Sequence, residues 1–453
     1  MSLDFIIIEI TQGLTKMNII LLSGGSGKRL WPLSNDIRSK QFIKLFTNEK
    51  GEKESMVQRM YRQIKKIDSK AIITVATAKS QISELKNQLG DNINISVEPC
   101  RRDTFPAIAL AVSYLHDIEH VGVEEPIVVC PVDPYVDDDY FQALKSLAEL
   151  ANKDNSNLVL MGIEPTYPSE KYGYIIPETS KQVSKVLMFK EKPNEEVAKN
   201  YISKGALWNG GIFAFKLGYL LKKSHELINF IDYKDLFSKY ETLNKISFDY
   251  AVAEKESKIE VMRFSGMWKD LGSWNTLTES MDTDNIGNVI IGEGCEKCHI
   301  VNDLDIPVLA VGVKNIIVAS SPEGILITDK DGSSKIKSYV EKLDTPVMFA
   351  EKSWGEYKVI DVGPSSLTIN VTLNKGHQMS YHSHSRRKEV WTITSGSGIV
   401  VLNGVHKRVS SGDVIPIPIG VKHTIIAETD LKLIEVQLGK DIDVKDKKKF
   451  KIR

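Results

Sequence analysis

The sequence predicts an α/β protein: a doubly wound, mixed but mostly parallel sheet, followed by a β-rich connector and a small β-barrel. Three observations carry this expectation. From Met17 to about Thr283, short apolar runs alternate with amphipathic helical stretches. From about 284 to 345, β-branched runs are split by Gly, Asp and Pro. From about 346 to 440, short strands and turns follow one another with no helical period.

The elements follow in order. Asn18–Leu22 is continuously apolar and reads as a strand buried on both faces. Met56, Val57, Met60, Tyr61 and Ile64 recur at helical spacing and define an amphipathic helix. Ala71–Ala76 reads as a strand and Ser80–Leu89 as a helix. Ile93–Val97 and Pro126–Pro131 read as strands with a helix over Ala107–Leu115 between them, and Leu158–Gly162 as another strand. Such β-α-β repetition implies helices on both sheet faces. In the connector, Asn288–Ile291, Ile316–Ala319 and Ile325–Thr328 read as strands. The expected organisation is an N-terminal extension over 1–16, an α/β domain over 17–283, a connector over 284–345 and a β domain over 346–453. The lysine-rich end, Asp441–Arg453, reads as a solvated tail.

Composition narrows the function classes. Lys plus Arg and Asp plus Glu number 59 each, so no basic excess marks a nucleic-acid surface. Apolar residues at 42% and charged residues at 26% suit a soluble globular chain of 453 residues. Four cysteines are too few for a disulfide framework. Cys295 and Cys298 lack the second ligand pair of a zinc site and read as ordinary β residues. The apolar run Phe5–Ile8 is too short to cross a membrane, and no signal pattern precedes it, which points to the cytoplasm.

The first strand runs into Ser23-Gly24-Gly25-Ser26-Gly27-Lys28-Arg29-Leu30. Closely spaced glycines let backbone N–H groups approach a phosphate chain, and Lys28 and Arg29 add positive charge. A Walker A loop would need Gly at Leu22 and Ser or Thr at Arg29; a dinucleotide fingerprint would need Gly at Leu30. Neither fits.

The residues that follow carry a resemblance. Gly24-Gly25-x-Gly27-x-Arg29-Leu30-x-Pro32-Leu33-Ser34 and Lys40-Gln41-Phe42 are followed by Glu98-Pro99-x-x-Arg102-x-Thr104-x-Pro106. Then come Pro131-Val132-Asp133, Glu170-x-x-Gly173-Tyr174-Ile175 and Phe189-x-Glu191-Lys192-Pro193. Trp208-Asn209-Gly210-Gly211-Ile212-Phe213 and Trp268-x-Asp270-Leu271-Gly272-Ser273-Trp274 complete the series. Together these resemble the sugar-phosphate nucleotidyltransferases of the mannose-1-phosphate guanylyltransferase family. The resemblance implies a Rossmann-like, GT-A-like nucleotidyltransferase that makes GDP-mannose and pyrophosphate from GTP and mannose 1-phosphate. It implies Mg2+ on Asp133 and Asp270, and catalytic cations Arg29, Lys40 and Lys192. Leu22, Gly24, Gly25, Gly27, Lys28, Arg29, Glu98 and Arg102 would line the nucleotide. Gly173, Glu191, Lys192 and Asn209 would hold the sugar phosphate. A homodimer is expected.

Four positions depart from the family pattern: Lys28 where Thr is frequent, Asp103 for Asn, Phe105 for a small residue, and Pro134 for His. Asp103 and Phe105 fall near the expected nucleotide pocket, which leaves open another sugar 1-phosphate or NTP. A non-catalytic sugar-nucleotide sensor is a third reading; the retained Asp133, Asp270 and Lys192 speak against it.

Five of nine histidines lie between 377 and 423. Gly376-x5-His382-x-His384-x4-Glu389-x6-Gly396 and Gly412-x5-Pro418-x-Gly420-x2-His423 resemble the two cupin motifs. His382 and His384 alternate on a strand and so share a face. With Glu389 and His423 they suit zinc, iron, nickel or manganese. The bifunctional branch of the family carries such a cupin as a phosphomannose isomerase, and Ser353-Trp354-Gly355-x-Tyr357 resembles that domain's start. The branch's compact His-x-His-Arg-Ala-Glu-His-Trp run is here His384-Ser385-Arg386-Arg387-Lys388-Glu389-Val390-Trp391, longer and without the second-last His. Isomerase activity therefore stays open at this level.

Overall fold

The structure is a computed structural model that describes residues 16–25, 28–35, 37–343, 347–440, 442 and 446–451. The expected extension over 1–16 lies almost wholly outside the described residues. The chain divides into two compact units: the first comprises Met1–Gly24, Met56–Lys79 and Ile93–Leu271, the second Gly25–Ser55, Ser80–Asn92 and Gly272–Arg453.

The first unit is built on a nine-stranded sheet. Its strands are β1 (Asn18–Leu22), β2 (Ile72–Ala78), β3 (Asn94–Glu98), β4 (Pro126–Pro131), β6 (Leu158–Ile163), β7 (Gly173–Pro177), β8 (Val183–Lys190), β9 (Leu207–Lys216) and β10 (Ile259–Phe264). A separate pair joins β5 (Pro134–Val136) to β11 (Trp268–Asp270). The sheet order is β3-β2-β1-β4-β9-β6-β10-β8-β7, and β7 also pairs with β9. The sheet is mixed: parallel within β3-β2-β1-β4 and between β6 and β10, antiparallel wherever β9 or β8 takes part.

Continuous apolar runs build the parallel part, as their near-complete burial requires. Ile127 and Val129 join the cluster formed by the helix Thr104–Asp117, while Cys130 faces Tyr140 of the helix Asp138–Ala151. Neighbouring strand residues point to opposite faces, so helices cover both.

One strand sets up the site. The first half of β9 pairs with β7 (Asn209↔Gly173) and its second half with β4 (Phe213↔Val129), while β6 flanks it throughout. The register shifts between Asn209 and Phe213, where Gly210 and Gly211 lie, and Gly211 has φ 73°. This glycine pair makes the switch between partners possible: only a residue without Cβ takes that φ at little cost.

The second unit holds the connector and the C-terminal domain. Asn285–Ile286, His299–Asn302 and Ile316–Ser321 form parallel rungs, closed by the antiparallel Gly324–Asp329. The C-terminal domain has a six-stranded and a five-stranded sheet. Their alternating inward residues, including Val371, Trp391, Ile393, Ile425 and Leu433, form one core. Trp274 is fully buried and donates its indole N–H to the Trp31 carbonyl at 3.0 Å. Truncating such a residue costs about 3–5 kcal/mol.

The segment that follows the glycine loop is also tied within this unit. Asn35 donates to Glu323 at 2.8 Å and to the Phe349 carbonyl at 2.8 Å. Gln88 donates to the Phe42 carbonyl at 2.8 Å and to Glu351 at 3.0 Å. On the same helix, Ile82–Leu89, Glu84 is fully buried and neither carboxylate oxygen has a hydrogen-bond partner in the structure. Burial, then the charge of Glu351, pushes its pKa up from 4.5 to about 9. The folded chain therefore keeps a proton that the unfolded chain releases, and stability is lost as pH rises between those values. Glu84→Gln removes this dependence. Chemical denaturation is expected to show no gain at pH 4 and a gain of about 1–3 kcal/mol at pH 8.

Candidate active site and metal centre

In the first unit, β1 ends at Leu22, whose carbonyl accepts from Val132 N at 3.2 Å, and Ser23 N continues the ladder to Ala76 at 2.9 Å. Gly24 is exposed and lies beside Glu98: a Cβ there would sit 3.9 Å from the carboxylate. Glu98 is buried and accepts from the Tyr240 hydroxyl at 2.9 Å. Burial raises its pKa against the lowering effects of Tyr240 and Arg101. Arg102, expected at the nucleotide, turns its guanidinium to the carbonyls of Tyr240 and Glu241. In this structure it braces the 240–241 turn.

Two departures from the family pattern find structural reasons. Asp103, with φ 71°, caps the helix Thr104–Asp117 through a 2.8 Å bond from Thr104 N. With ψ −178° this conformation lies outside the αL basin and is costly for any residue with a Cβ, and the local bond from Thr104 N helps to hold it. Phe105 is 2% exposed and packs in the main hydrophobic cluster. The first helical turn aims its side chain into the core.

Asp133 follows β4 at the carboxyl end of a parallel strand, where open α/β sheets bind ligands. Asp270 ends β11, directly across from Pro134 in the antiparallel ladder. Ladder and chain spacings place the two aspartate Cα atoms roughly 6 Å apart. The Tyr172 hydroxyl senses both: burial first, then the charges of Asp270 and Asp133 among others, raise its pKa. Two oxygen-donor carboxylates converging in this way fit a hard divalent cation.

Beside this pair lies a polar cluster. Gly173 and Asn209 face each other across β7 and β9. A Cβ on Gly173 would collide with Glu191 Oε2 and stand 3.4 Å from Asn209 Cβ. Glu191 Oε1 takes a 2.6 Å bond from Lys192 Nζ; its Oε2 is buried without a hydrogen-bond partner in the structure. Burial works against the Lys192 charge, but the bond to Glu191 and the charges of Glu191 and Asp249 outweigh it and raise the pKa. Asn209 Nδ2 donates to Asp249 at 2.6 Å, and its Oδ1 accepts from Gly211 N at 3.1 Å. Burial, then the charge of Glu191, lifts Asp249 to about 6. Sequence reasoning missed Asp249. Its only local signal is an acid between buried Phe248 and Ala251 in a short helix capped by Ser247. Gly173→Ala is expected to displace Glu191 and to raise KM for the substrate this cluster holds about tenfold, with a smaller change in kcat, in steady-state assays.

The remaining expected nucleotide residues belong to the second unit. Gly27 lies outside the described residues, as does the side chain of Lys28. Arg29 is exposed on the 3-10 turn Lys28–Leu30, and Lys40 opens the turn Lys40–Phe42. Among the described residues, a Cβ at Gly25 would meet nothing within 4 Å.

In the C-terminal domain, His382, His384 and His423 converge: their candidate ligand atoms lie within 4.8 Å of one another, and all three rings are buried. Each Nδ1 faces a backbone carbonyl: Ser380 at 2.6 Å, Asp446 at 2.5 Å and Val421 at 2.9 Å. A carbonyl only accepts, so each Nδ1 carries the proton and each Nε2 presents a lone pair. Burial, then Lys447 and His423, pushes His382 down to about 2, so it is neutral. Glu389 lies 3.0 Å from His384 Nε2 and 3.3 Å from His423 Nε2, with donors Arg387 and Trp391 each at 3.2 Å. His423 Nε2 is buried without a hydrogen-bond donor. Several acceptors thus converge on one buried point, an arrangement that fits a divalent metal. The three histidines form the tightest group; Glu389 stands against two of them. The C-terminal tail also differs from expectation: Asp446 is 7% exposed, and Lys448 and Lys449 pair with Ser383 and His382.

A mixed α/β sheet with two aspartates brought together beyond its strands, near a cluster of polar side chains, fits the nucleotidyltransferase class. Comparisons agree. Residues 18–285 match the Nucleotidyl transferase family, and 344–451 match Mannose-6-phosphate isomerase C-terminal. Mannose-1-phosphate guanylyltransferase of Escherichia coli (strain K12) is 30% identical over 96% of this chain and 98% of its own. Xanthan biosynthesis protein XanB of Xanthomonas campestris pv. campestris (strain B100) is 30% identical over 93% and 95%. A solved structure described as mannose-1-phosphate geranyltransferase from Thermus thermophilus superposes with a TM-score of 0.60 at 29% identity, covering 73% of this chain and 100% of that one. The chain belongs to the mannose-1-phosphate guanylyltransferase family of nucleotidyltransferases, with a C-terminal mannose-6-phosphate isomerase-like domain. Among the described residues, no helix is long and apolar enough to cross a membrane.

Proposed function

We propose that this chain makes GDP-mannose and pyrophosphate from GTP and mannose 1-phosphate. A phosphate oxygen of the sugar attacks the α-phosphorus, the bond to the β-phosphate's bridging oxygen breaks, and pyrophosphate departs with that oxygen. The pairing of Asp270 with Pro134, beside Asp133, carries this reading. These carboxylates would hold Mg2+, which supplies charge neutralisation at the transferring phosphoryl group. Glu191, Asn209 and the open backbone at Gly173 bind sugar hydroxyls, and Lys192 holds the sugar phosphate. Leu22, Gly24, Gly25, Gly27 and Lys28 line the nucleotide with Glu98; Arg29 and Lys40 hold the triphosphate. We assign Arg102 a bracing role at that pocket's edge.

The C-terminal domain, assigned to 346–453, takes a transition metal (zinc, iron, nickel or manganese) on His382, His384 and His423 with Glu389. Interconversion of mannose 6-phosphate and fructose 6-phosphate is its proposed activity, supported by the converging Nε2 atoms. The assignment includes a cytoplasmic homodimer. Pyrophosphate release measured for each NTP against mannose 1-phosphate and other sugar 1-phosphates tests the transferase. Release with GTP and mannose 1-phosphate is expected to dominate. Release with UTP or dTTP alone would move the substrate, and none with any pair would favour a sensor.

A further inference from the structure

The last described residues, Asp446–Lys451, bear directly on the metal centre. Lys448 and Lys449 pair antiparallel with Ser383 and His382, extending the five-stranded sheet along the short strand His382–Ser383, which ends one residue before His384. Phe450 N donates to the Tyr381 carbonyl at 2.8 Å, and the Phe450 ring takes the Lys422 ammonium 4.4 Å from its centroid. The Asp446 carboxylate closes the arrangement. Its Oδ1 accepts from Ser385 N at 2.9 Å and from Ser385 Oγ at 2.5 Å, and its Oδ2 from Arg386 N at 3.0 Å. Its own carbonyl accepts the Nδ1 proton of His384 at 2.5 Å.

These contacts make a single knot. The side chain of Asp446 grips the two residues after His384, and its carbonyl fixes the tautomer and ring orientation of His384 itself. His382 and His423 take their Nδ1 partners only two residues away, from Ser380 and Val421. His384 alone of the three depends on a partner distant in sequence. Partners of this kind orient a ligating imidazole and raise its basicity, and their loss lowers metal affinity about 10–100-fold.

We propose that Asp446 is a positioning residue for the metal ligand His384, so that the C-terminal segment is a working wall of the metal centre. The inference rests on the metal reading of the three histidines. The test uses the full-length chain stripped of metal, titrated with Co2+ in competition with a chromogenic chelator, with the visible absorption of bound Co2+ as a second readout. Asp446→Ala is expected to weaken Co2+ binding about 10–100-fold and to alter the absorption band. Asp446→Asn keeps one acceptor oxygen for Ser385 and is expected to recover most of the affinity. Lys448→Ala, at an exposed position two residues further on, is expected to bind as the unsubstituted chain does.

Wild-type affinity and an unchanged band in Asp446→Ala would overturn the proposal. Equal binding by the unsubstituted chain and His384→Ala would instead overturn the metal reading beneath it, and the proposal with it. Should Asp446→Ala fail to fold, Ser385→Ala, which deletes one donor of the knot, is expected to weaken Co2+ binding to a smaller extent. No weakening there would count against the proposal equally.

Discussion

Asp270→Ala is expected to lower kcat for pyrophosphate release by roughly 10³-fold or more while leaving the thermal transition of the folded chain nearly unchanged. The size follows from the position. Asp270 ends a two-stranded ladder outside the nine-stranded sheet and is only half-buried, so it is not part of the hydrophobic core. Its charge, however, lies within reach of Asp133, and both raise Tyr172. Removing one of two carboxylates that share a divalent ion removes charge neutralisation when the transferring group is most anionic. Asp270→Asn keeps an oxygen but loses the charge, and is expected to fall between the two. Pyrophosphate release and circular-dichroism melting on the same samples separate loss of chemistry from loss of fold.

The second large effect belongs to the other domain. His382→Ala is expected to reduce bound transition metal to under about a tenth of the unsubstituted content and to abolish fructose 6-phosphate conversion. Guanylyl transfer is expected to stay within about twofold. Elemental analysis of the purified variant and the two activity assays check this. The ring it removes is one of three whose Nδ1 protons are committed to carbonyls and whose candidate ligand atoms converge within 4.8 Å of one another. A variant that loses metal yet keeps isomerase activity would detach the metal from that reaction.

Much of this arrangement is legible in the sequence, for physical reasons. A strand buried on both faces must be apolar throughout, so Pro126–Pro131 can be read with its bounds. Met56–Ile67 shows its helical period because only one face is buried. Asp133 and Asp270 are nameable from motifs, but their adjacency is not, since it depends on a ladder between segments far apart in the chain.

What stayed hidden has a common cause: long-range pairing. Asp249 carries no periodic signal, and becomes part of the site only because Asn209 reaches it. Asp446 and the lysines after it read as a solvated end because charge dominates their composition. The backbone ladder to His382 and Ser383 overrides that composition. Phe105 sits in a motif tied to the nucleotide, yet its side chain follows the helix's buried face. The segment Gly25–Ser55 clusters with residues after 271 rather than with the strand it follows, which no contiguous reading of domains reveals.

The most direct measurement is a crystal structure of the chain with GTP and Mn2+, using anomalous scattering at the manganese edge to locate the ion. A peak bonded to oxygens of both Asp133 and Asp270 and to the triphosphate is expected. Manganese found only among the histidines, with the two aspartates turned away from the nucleotide, would contradict the shared-ion arrangement on which the catalytic reading stands.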